Sequence, residues 1–430
     1  MRFTVLPTVL ALTFAFAASA AADWPQWRGP DFNGSTDAEQ LPSSWTASRG
    51  VQWRVDLPGP AASTPVVHGE RIYLTSTDGD TDKLLAMCLR RKDGEVIWQH
   101  TVDRQRSLDK RATLAGPSPV TDGKIVAFYF GNGKLFVYDV DGKALWNTDI
   151  TDGKGFAFQW TYSASPLLLD GRLYVQVLQR DKPVRGRGPR SGQSFLVAFD
   201  AATGKEIFKH IRDTKAIRES REAYSTPIPF RHDDRTQILV LGGDMLTAHD
   251  PADGKELWRW DGYNPKRRDA RRLVPSPLVA GRQIIVCGPR NETVWAVRPT
   301  GRNLAGGDIA WTIDDRDISS DTATPLYDMG NVYLLNGEKQ LLTRLDPATG
   351  DRRWNVKLGD ALLRASPTGA DGKIYCMNHN GDVFVIDASS GELLSTNTPP
   401  RKSTQARSSV VVSDNALFIR DDHSLTCVSK

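Results

Sequence analysis

Arginine is concentrated in two short segments of the 430-residue chain, RDKPVRGRGPRSG at 180–192 and NPKRRDARR at 264–272. The first carries Arg185, Arg187 and Arg190, the second Arg267, Arg268 and Arg271. A guanidinium presents a rigid fork of N–H donors that matches carboxylate and phosphate, and a cluster of them attracts anions over a distance. FAFQWTY (156–162) adds two aromatic platforms, Trp160 and Tyr162. These eight residues predict a site for an anionic glycan, a phosphorylated ligand or an acidic protein. The competing reading is a solvated loop surface closed by local ion pairs, for which Asp181, Glu219, Glu222 and Asp269 are at hand.

Other chemistry is sparse. None of the seven histidines has metal-ligand spacing. Asp421-Asp422-His423 reads as a polar hairpin turn rather than a metal site, and no full calcium loop is legible. There is no nucleophile elbow, phosphate-binding loop or dinucleotide fingerprint. Catalytic residues drawn from different parts of a repeat array would leave no linear motif, so an enzyme stays open as the alternative. Cys88, Cys287, Cys376 and Cys427 are scattered through apolar, strand-like runs and read as small buried hydrophobes. An oxidising compartment would permit a disulfide, but spacing selects none. With 55 basic against 51 acidic residues, the net charge of +4 does not mark a nucleic-acid binder.

The first 22 residues read as a cleaved signal peptide: Arg2, an apolar stretch from Val5 to Ala17, then small residues through Ala22. No later apolar run approaches the roughly 20 residues that cross a bilayer. The expectation is a monomeric periplasmic or secreted protein, with an N-terminal arm over 23–50 and one domain over 51–430.

What must position the arginine segments is a repeat. Ser/Thr-Pro marks end at Pro65, Pro119, Pro166, Pro227, Pro277, Pro325 and Pro367, and an eighth start falls at Ser408-Ser409, with Ser409 in the proline's place. After each mark come an apolar strand, a Gly turn, a second and a third strand, a turn with Gly, and a fourth strand carrying Trp, as in DGKALW (141–146) and TGDRRW (349–354). The third unit has Phe208 and the seventh Ser395 in place of that Trp. Period-two alternation gives strands, Asp/Thr-Gly pairs give tight hairpins, and a strand's first residue tolerates proline. Four strands repeated every 40–50 residues or so predict an all-β propeller.

The elements AFDAATGKEIF (198–208) and RLDPATGDRRW (344–354) resemble the repeat of the PQQ-like β-propeller proteins, and DWPQWRGPDFNGS (23–35) resembles the start of exported bacterial members. The resemblance covers nearly all of the chain after the leader. Quinoprotein dehydrogenases of that family imply a vicinal Cys-Cys disulfide over the quinone, a Ca²⁺ site and a catalytic Asp. No Cys-Cys occurs here and no motif matches the metal and Asp positions, so no cofactor is predicted: calcium stays open without support, and a PQQ-dependent oxidoreductase is a remote alternative. The barrel-assembly lipoprotein of similar repeats implies a binding role, although this chain has no lipid-attachment cysteine after its leader.

The last unit has three strands and no Trp strand, whereas Gln52–Leu57 has a Trp strand and no blade. Their pairing predicts eight blades, closed by residues 52–57 beside Ser424–Ser429; the alternative is seven blades. Long connections (102–116, 148–163, 180–193, 210–224, 261–274) fall on one face, which predicts that the basic segments share it. The functional expectation is a non-catalytic propeller that binds a cell-envelope protein or an anionic polymer there; the alternative is an enzyme acting on a small molecule or glycan at the axial mouth.

Overall fold

The computed structural model describes residues 23–107, 112–232, 234–300 and 308–430; the leader lies outside them. The described strands form eight antiparallel four-stranded sheets, the blades of a propeller. Blades 1 to 7 take their strands in chain order from 66–104, 120–149, 167–211, 228–260, 278–313, 326–357 and 368–397. Blade 8 combines the strands within 411–429 with Val51–Asp56 as its outermost strand. Trp53 pairs with Cys427, Arg54 with Thr426 and Asp56 with Ser424, after a bulge that follows Val51. Both ends of the chain therefore share one sheet, and the ring closes without leaving two free blade faces.

The Trp–Gly signature holds neighbouring blades together. At five junctions the fourth-strand Trp lies on the turn glycine of the next blade and its indole N–H donates to a carbonyl there, whereas Trp258 donates to Gln237 Oε1 (2.8 Å) within its own blade. Trp53 reaches Arg91 O (3.0 Å), Trp98 reaches Val140 O (3.1 Å), Trp146 reaches Ala201 O (2.9 Å), Trp311 reaches Pro347 O (2.8 Å) and Trp354 reaches Ser389 O (3.1 Å). The opposing glycines 94, 142, 204, 350 and 391 all have positive φ, and a Cβ on any of them would sit 2.5–2.8 Å from the ring. Glycine is required there both for its backbone conformation and for the closeness of approach. Phe208 covers Gly254 in the same way without an N–H to donate.

Ser395 has a nonlocal cause. The arm occupies the space that a tryptophan would fill: Ser395 Oγ donates to Ser43 O, and Asn397 Oδ1 accepts from Trp45 N (2.8 Å). Earlier the arm crosses the axis. Trp24 exchanges two 2.9 Å backbone bonds with Val67 in blade 1, and Pro25 O accepts from Thr121 N in blade 2. Arg28, 2 % exposed, then donates to Pro325 O (2.7 Å), Pro367 O (2.9 Å) and Asn33 O (3.1 Å), joining blades 6 and 7. Burial pulls its guanidinium down to about 9, so it remains charged at neutral pH. Gly34 leaves the room that this guanidinium fills.

The Ser/Thr-Pro mark also has a physical role. The amide of each marked Ser or Thr donates to the hydroxyl of its counterpart in the next blade, from Thr64 through Ser118, Ser165, Thr226, Ser276 and Thr324 to Ser366, at 2.8–3.0 Å. Ser409 N closes onto Thr64 Oγ1 at 3.1 Å. Ser409, not Ser408, is therefore the eighth hydroxyl position, and Val410 stands where the other blades have proline. This shifts the expected register of the eighth mark by one residue.

Candidate functional site

The long connections and the second-to-third turns share one face, and an axial funnel of about 270 Å³ opens there. The hydroxyl ring forms one layer of its wall. Above it lies the residue two places before each hydroxyl: Ala62, Gly116, Ser163, Tyr224, Val274, Thr322, Arg364 and Arg407. The repeat thus sends one residue position from every blade into the funnel, uncharged in blades 1 to 6 and cationic in blades 7 and 8. Trp27, on the arm that crosses the axis, closes the inner end; Trp160, Arg272, Asp321 and Glu338 complete the wall.

Ion pairs organise one side of the mouth. Arg272 grips Asp321 with two N–H···O contacts (3.2 and 3.0 Å), and Asp321 also accepts from Arg290 N (2.6 Å). Glu222 accepts from Arg180, from Gln159 N (2.9 Å) and from the Tyr224 hydroxyl (2.6 Å), which in turn accepts from Trp160 N (3.1 Å). Burial pushes the Glu222 carboxyl up, and the Tyr224, Gln159 and Arg180 donors oppose that shift. This network fixes the backbone that carries Trp160. On the opposite side, His379 N donates to Leu362 O (2.8 Å) and His379 O accepts from Ala406 N (3.1 Å), tying together the connections that carry Arg364 and Arg407. Burial, with the charges of Arg407 and Arg364, pulls the His379 imidazole down to about 4.

A second hollow of about 380 Å³ lies on the same face between blades 2 and 3, beside the axial funnel. Arg106, Lys154 and Arg187 line it with Phe156, Phe158 and Trp160, and none of its described lining residues is acidic. Trp160 borders both hollows.

The eight residues singled out in the sequence divide between these surroundings. Arg187, Trp160 and Tyr162 line the groove. Arg185 is exposed at the tip of the tight turn closed by Val184 and Arg187, whose backbones exchange two 2.9 Å bonds, and Arg190 is exposed nearby. Arg267 pairs with Asp261 (2.6 Å) and Asp244 (3.6 Å), and Arg268 and Arg271 both pair with Glu292 (3.2 and 3.1 Å). Tyr162 offers no platform: it is 1 % exposed, packed edge-on to Tyr129, with its hydroxyl on Gln176 O. Sequence reasoning missed Trp27, Arg364 and Arg407. The two arginines were open to discovery from their constant offset before the repeat marks; Trp27 was not, because nothing local places the arm across the axis.

A family model described as outer membrane protein assembly factor BamB matches residues 35–176, 83–356 and 191–430. The chain belongs to the PQQ-like repeat propeller family. Among curated relatives of this family, the polyvinylalcohol dehydrogenase of Sphingopyxis sp. (strain 113P3) is 25 % identical over 402 residues, 83 % of this chain and 54 % of that protein. The BamB of Burkholderia pseudomallei (strain K96243) is 24 % identical over 383 residues, 82 % of this chain and 89 % of that one. The chain thus spans little more than half the length of that dehydrogenase. Two solved PQQ-like propellers share the fold: BamB from Moraxella catarrhalis (TM-score 0.60, 15 % identity, 88 % of this chain and 98 % of that one) and quinohemoprotein alcohol dehydrogenase from Comamonas testosteroni (TM-score 0.69, 13 % identity, 96 % and 81 %).

The family's quinone centre finds no matching donor set among the described residues. No three His, Cys, Asp or Glu side chains gather as metal ligands. The four cysteines are buried as free thiols in four different blades, so no vicinal pair could cover a quinone.

Proposed function

We propose that this is an exported binding propeller that engages an anionic polymer of the cell envelope through its insertion-bearing face. The groove between blades 2 and 3 carries the reading: three cationic side chains and the aromatic rings of Phe156 and Trp160, with no carboxylate among its described lining residues. Cations fix the acidic groups of such a chain, and an aromatic face takes the apolar side of a sugar ring. Elsewhere on this face Arg267, Arg268, Arg271 and Arg272 are held by carboxylates. In the groove Arg106 has Asp82 at 3.7 Å, while Lys154 and Arg187 form no ion pair with a described carboxylate. The relative named as an outer membrane protein assembly factor supports a structural role in the envelope, and residues 1–22 support export.

The test is titration of the protein with polygalacturonate, followed by tryptophan fluorescence. Binding is expected, weakened several-fold in Arg187→Ser, with Trp160→Ala losing most of the spectral change. Equal affinity of the wild type and Arg187→Ser would overturn the groove assignment. A second reading, catalysis at the axial mouth, is supported by the similarity to polyvinylalcohol dehydrogenases and by the rim carboxylates Asp321 and Glu338. Turnover of a polyol or glycan by the purified protein, lost in Asp321→Asn or Glu338→Gln, would favour it.

A further inference from the structure

The hydroxyl ring around the axis is broken once. Seven amide-to-hydroxyl bonds are made, and the eighth, from Ser366 to Ser409, is not. At that junction Thr368 Oγ1 instead donates to Val410 O (2.7 Å), one step along the chain. Ser409 Oγ is left 2 % exposed and without a hydrogen-bond partner, in the funnel wall. A buried hydroxyl without a partner is costly, which points to a ligand or water that completes it.

The described wall around the break carries two arginines, with the carboxylates Asp321 and Glu338 elsewhere in the funnel. Arg364 and Arg407, the two cations of the funnel layer, stand on the connections into blades 7 and 8, directly above Ser366 and Ser409 in the repeat. Arg407 Nη2 holds Gln405 Oε1 at 2.8 Å. His379 links these two connections through its backbone, and its Nε2 is also buried without a partner. Asp422, the neighbouring carboxylate, accepts from Thr404 N (3.0 Å) and Gln405 N (2.9 Å) with one of its oxygens. Asp321 is held by Arg272 across the funnel. The Ser366 hydroxyl already accepts the Thr324 amide (3.0 Å) and donates to no described group, so its proton is available to the funnel. The same holds for Ser118, Ser165 and Thr226 around the wall.

We propose that the break between blades 7 and 8 is a binding site for a small oxyanion, a carboxylate or a phosphate. It is held by the Ser409 and Ser366 hydroxyls beneath Arg364 and Arg407, with Trp27 as the floor beneath its carrier. Hydroxyl donors and guanidinium forks supply charge-assisted bonds to such a group. The funnel's volume is below the ~300 Å³ at which drug-sized pockets begin, which suits a molecule the size of one sugar acid. The site is separate from the groove of blades 2 and 3 and does not depend on polymer binding there.

Calorimetric titration with inorganic phosphate, D-galacturonate and neutral D-galactose tests it. Binding of phosphate or galacturonate but not galactose is expected; which of the two binds identifies the source of the oxyanion. Ser409→Ala removes no bond within the protein and should retain the wild-type melting temperature, while weakening binding by roughly tenfold or more, as for one lost bond to a charged group. Arg364→Gln should weaken it similarly, and Arg187→Ser in the groove should leave it unchanged. No heat with either anion at about 10 mM, or full affinity in both Ser409→Ala and Arg364→Gln, would overturn the proposal.

Discussion

Replacing Trp53 with alanine should open the ring at one identifiable seam. The indole lies on Gly94, faces Phe418 at 6.0 Å between centroids, and donates to Arg91 O at 3.0 Å. A partly buried tryptophan that hides about 120 Å² of apolar surface contributes about 3 kcal/mol at ~25 cal/mol per Å². The lost indole bond adds about 1 kcal/mol. The total of about 4 kcal/mol corresponds to roughly a thousandfold change in an opening equilibrium. Trp146→Ala is the matched control: it removes the same Trp–Gly contact and a 2.9 Å bond to Ala201 O, but its strand continues into the chain within blade 2. Hydrogen exchange followed by mass spectrometry reads both. Trp53→Ala should lose protection selectively in 51–56 and 424–429, whereas Trp146→Ala should lose it around blades 2 and 3 while the seam of blade 8 stays protected. Undiminished protection of 51–56 in Trp53→Ala would refute the reasoning, because the strand would then be held by pairing alone.

Two further perturbations follow from the arm. Ser395→Trp restores the residue that the repeat prefers, yet it should destabilise the protein by about 1–3 kcal/mol through overpacking against Ser43 and Trp45; a higher denaturation midpoint would contradict the assigned role of the arm. Burial, with the charge of Asp37, pushes the Asp328 carboxyl up to about 6, and its Oδ2 has no partner. The protonated form favours the folded state, so this contribution is fully present below the ordinary carboxylate value of 3.8 and is lost as pH rises through about 6. Asp328→Asn should therefore stabilise the protein at pH 8 by up to ~3 kcal/mol and change little near pH 3, as read from urea midpoints at the two pH values.

The ring was legible in the sequence because its signals are local and repeated. Trp, turn glycine and Ser/Thr-Pro each recur once per blade, and the orphan strand at 51–56 could be matched to the incomplete last unit by elimination. The register of the eighth mark was not legible, because two adjacent serines without a proline look alike until Ser409 N is seen on Thr64. Ser395 and Trp27 were opaque for one shared reason: both depend on where the arm travels, 292 to 352 residues from its partners in blades 6 and 7. The basic face was legible as composition but not as charge. Arg268 and Arg271 find Glu292, and Arg267 finds Asp244, across connections whose contact no spacing announces. Tyr162 shows the same limit in reverse, since FAFQWTY does not reveal that Trp160 faces a hollow while Tyr162 enters the core.

Salt dependence of polygalacturonate binding tests the central claim most directly. If Arg106, Lys154 and Arg187 hold the polymer, counterions are released, and affinity should fall roughly tenfold between about 50 and about 200 mM salt, as for a few charge contacts. The fall should be shallower in Arg187→Ser. Affinity that is independent of salt, or no binding even at about 50 mM, would contradict the account.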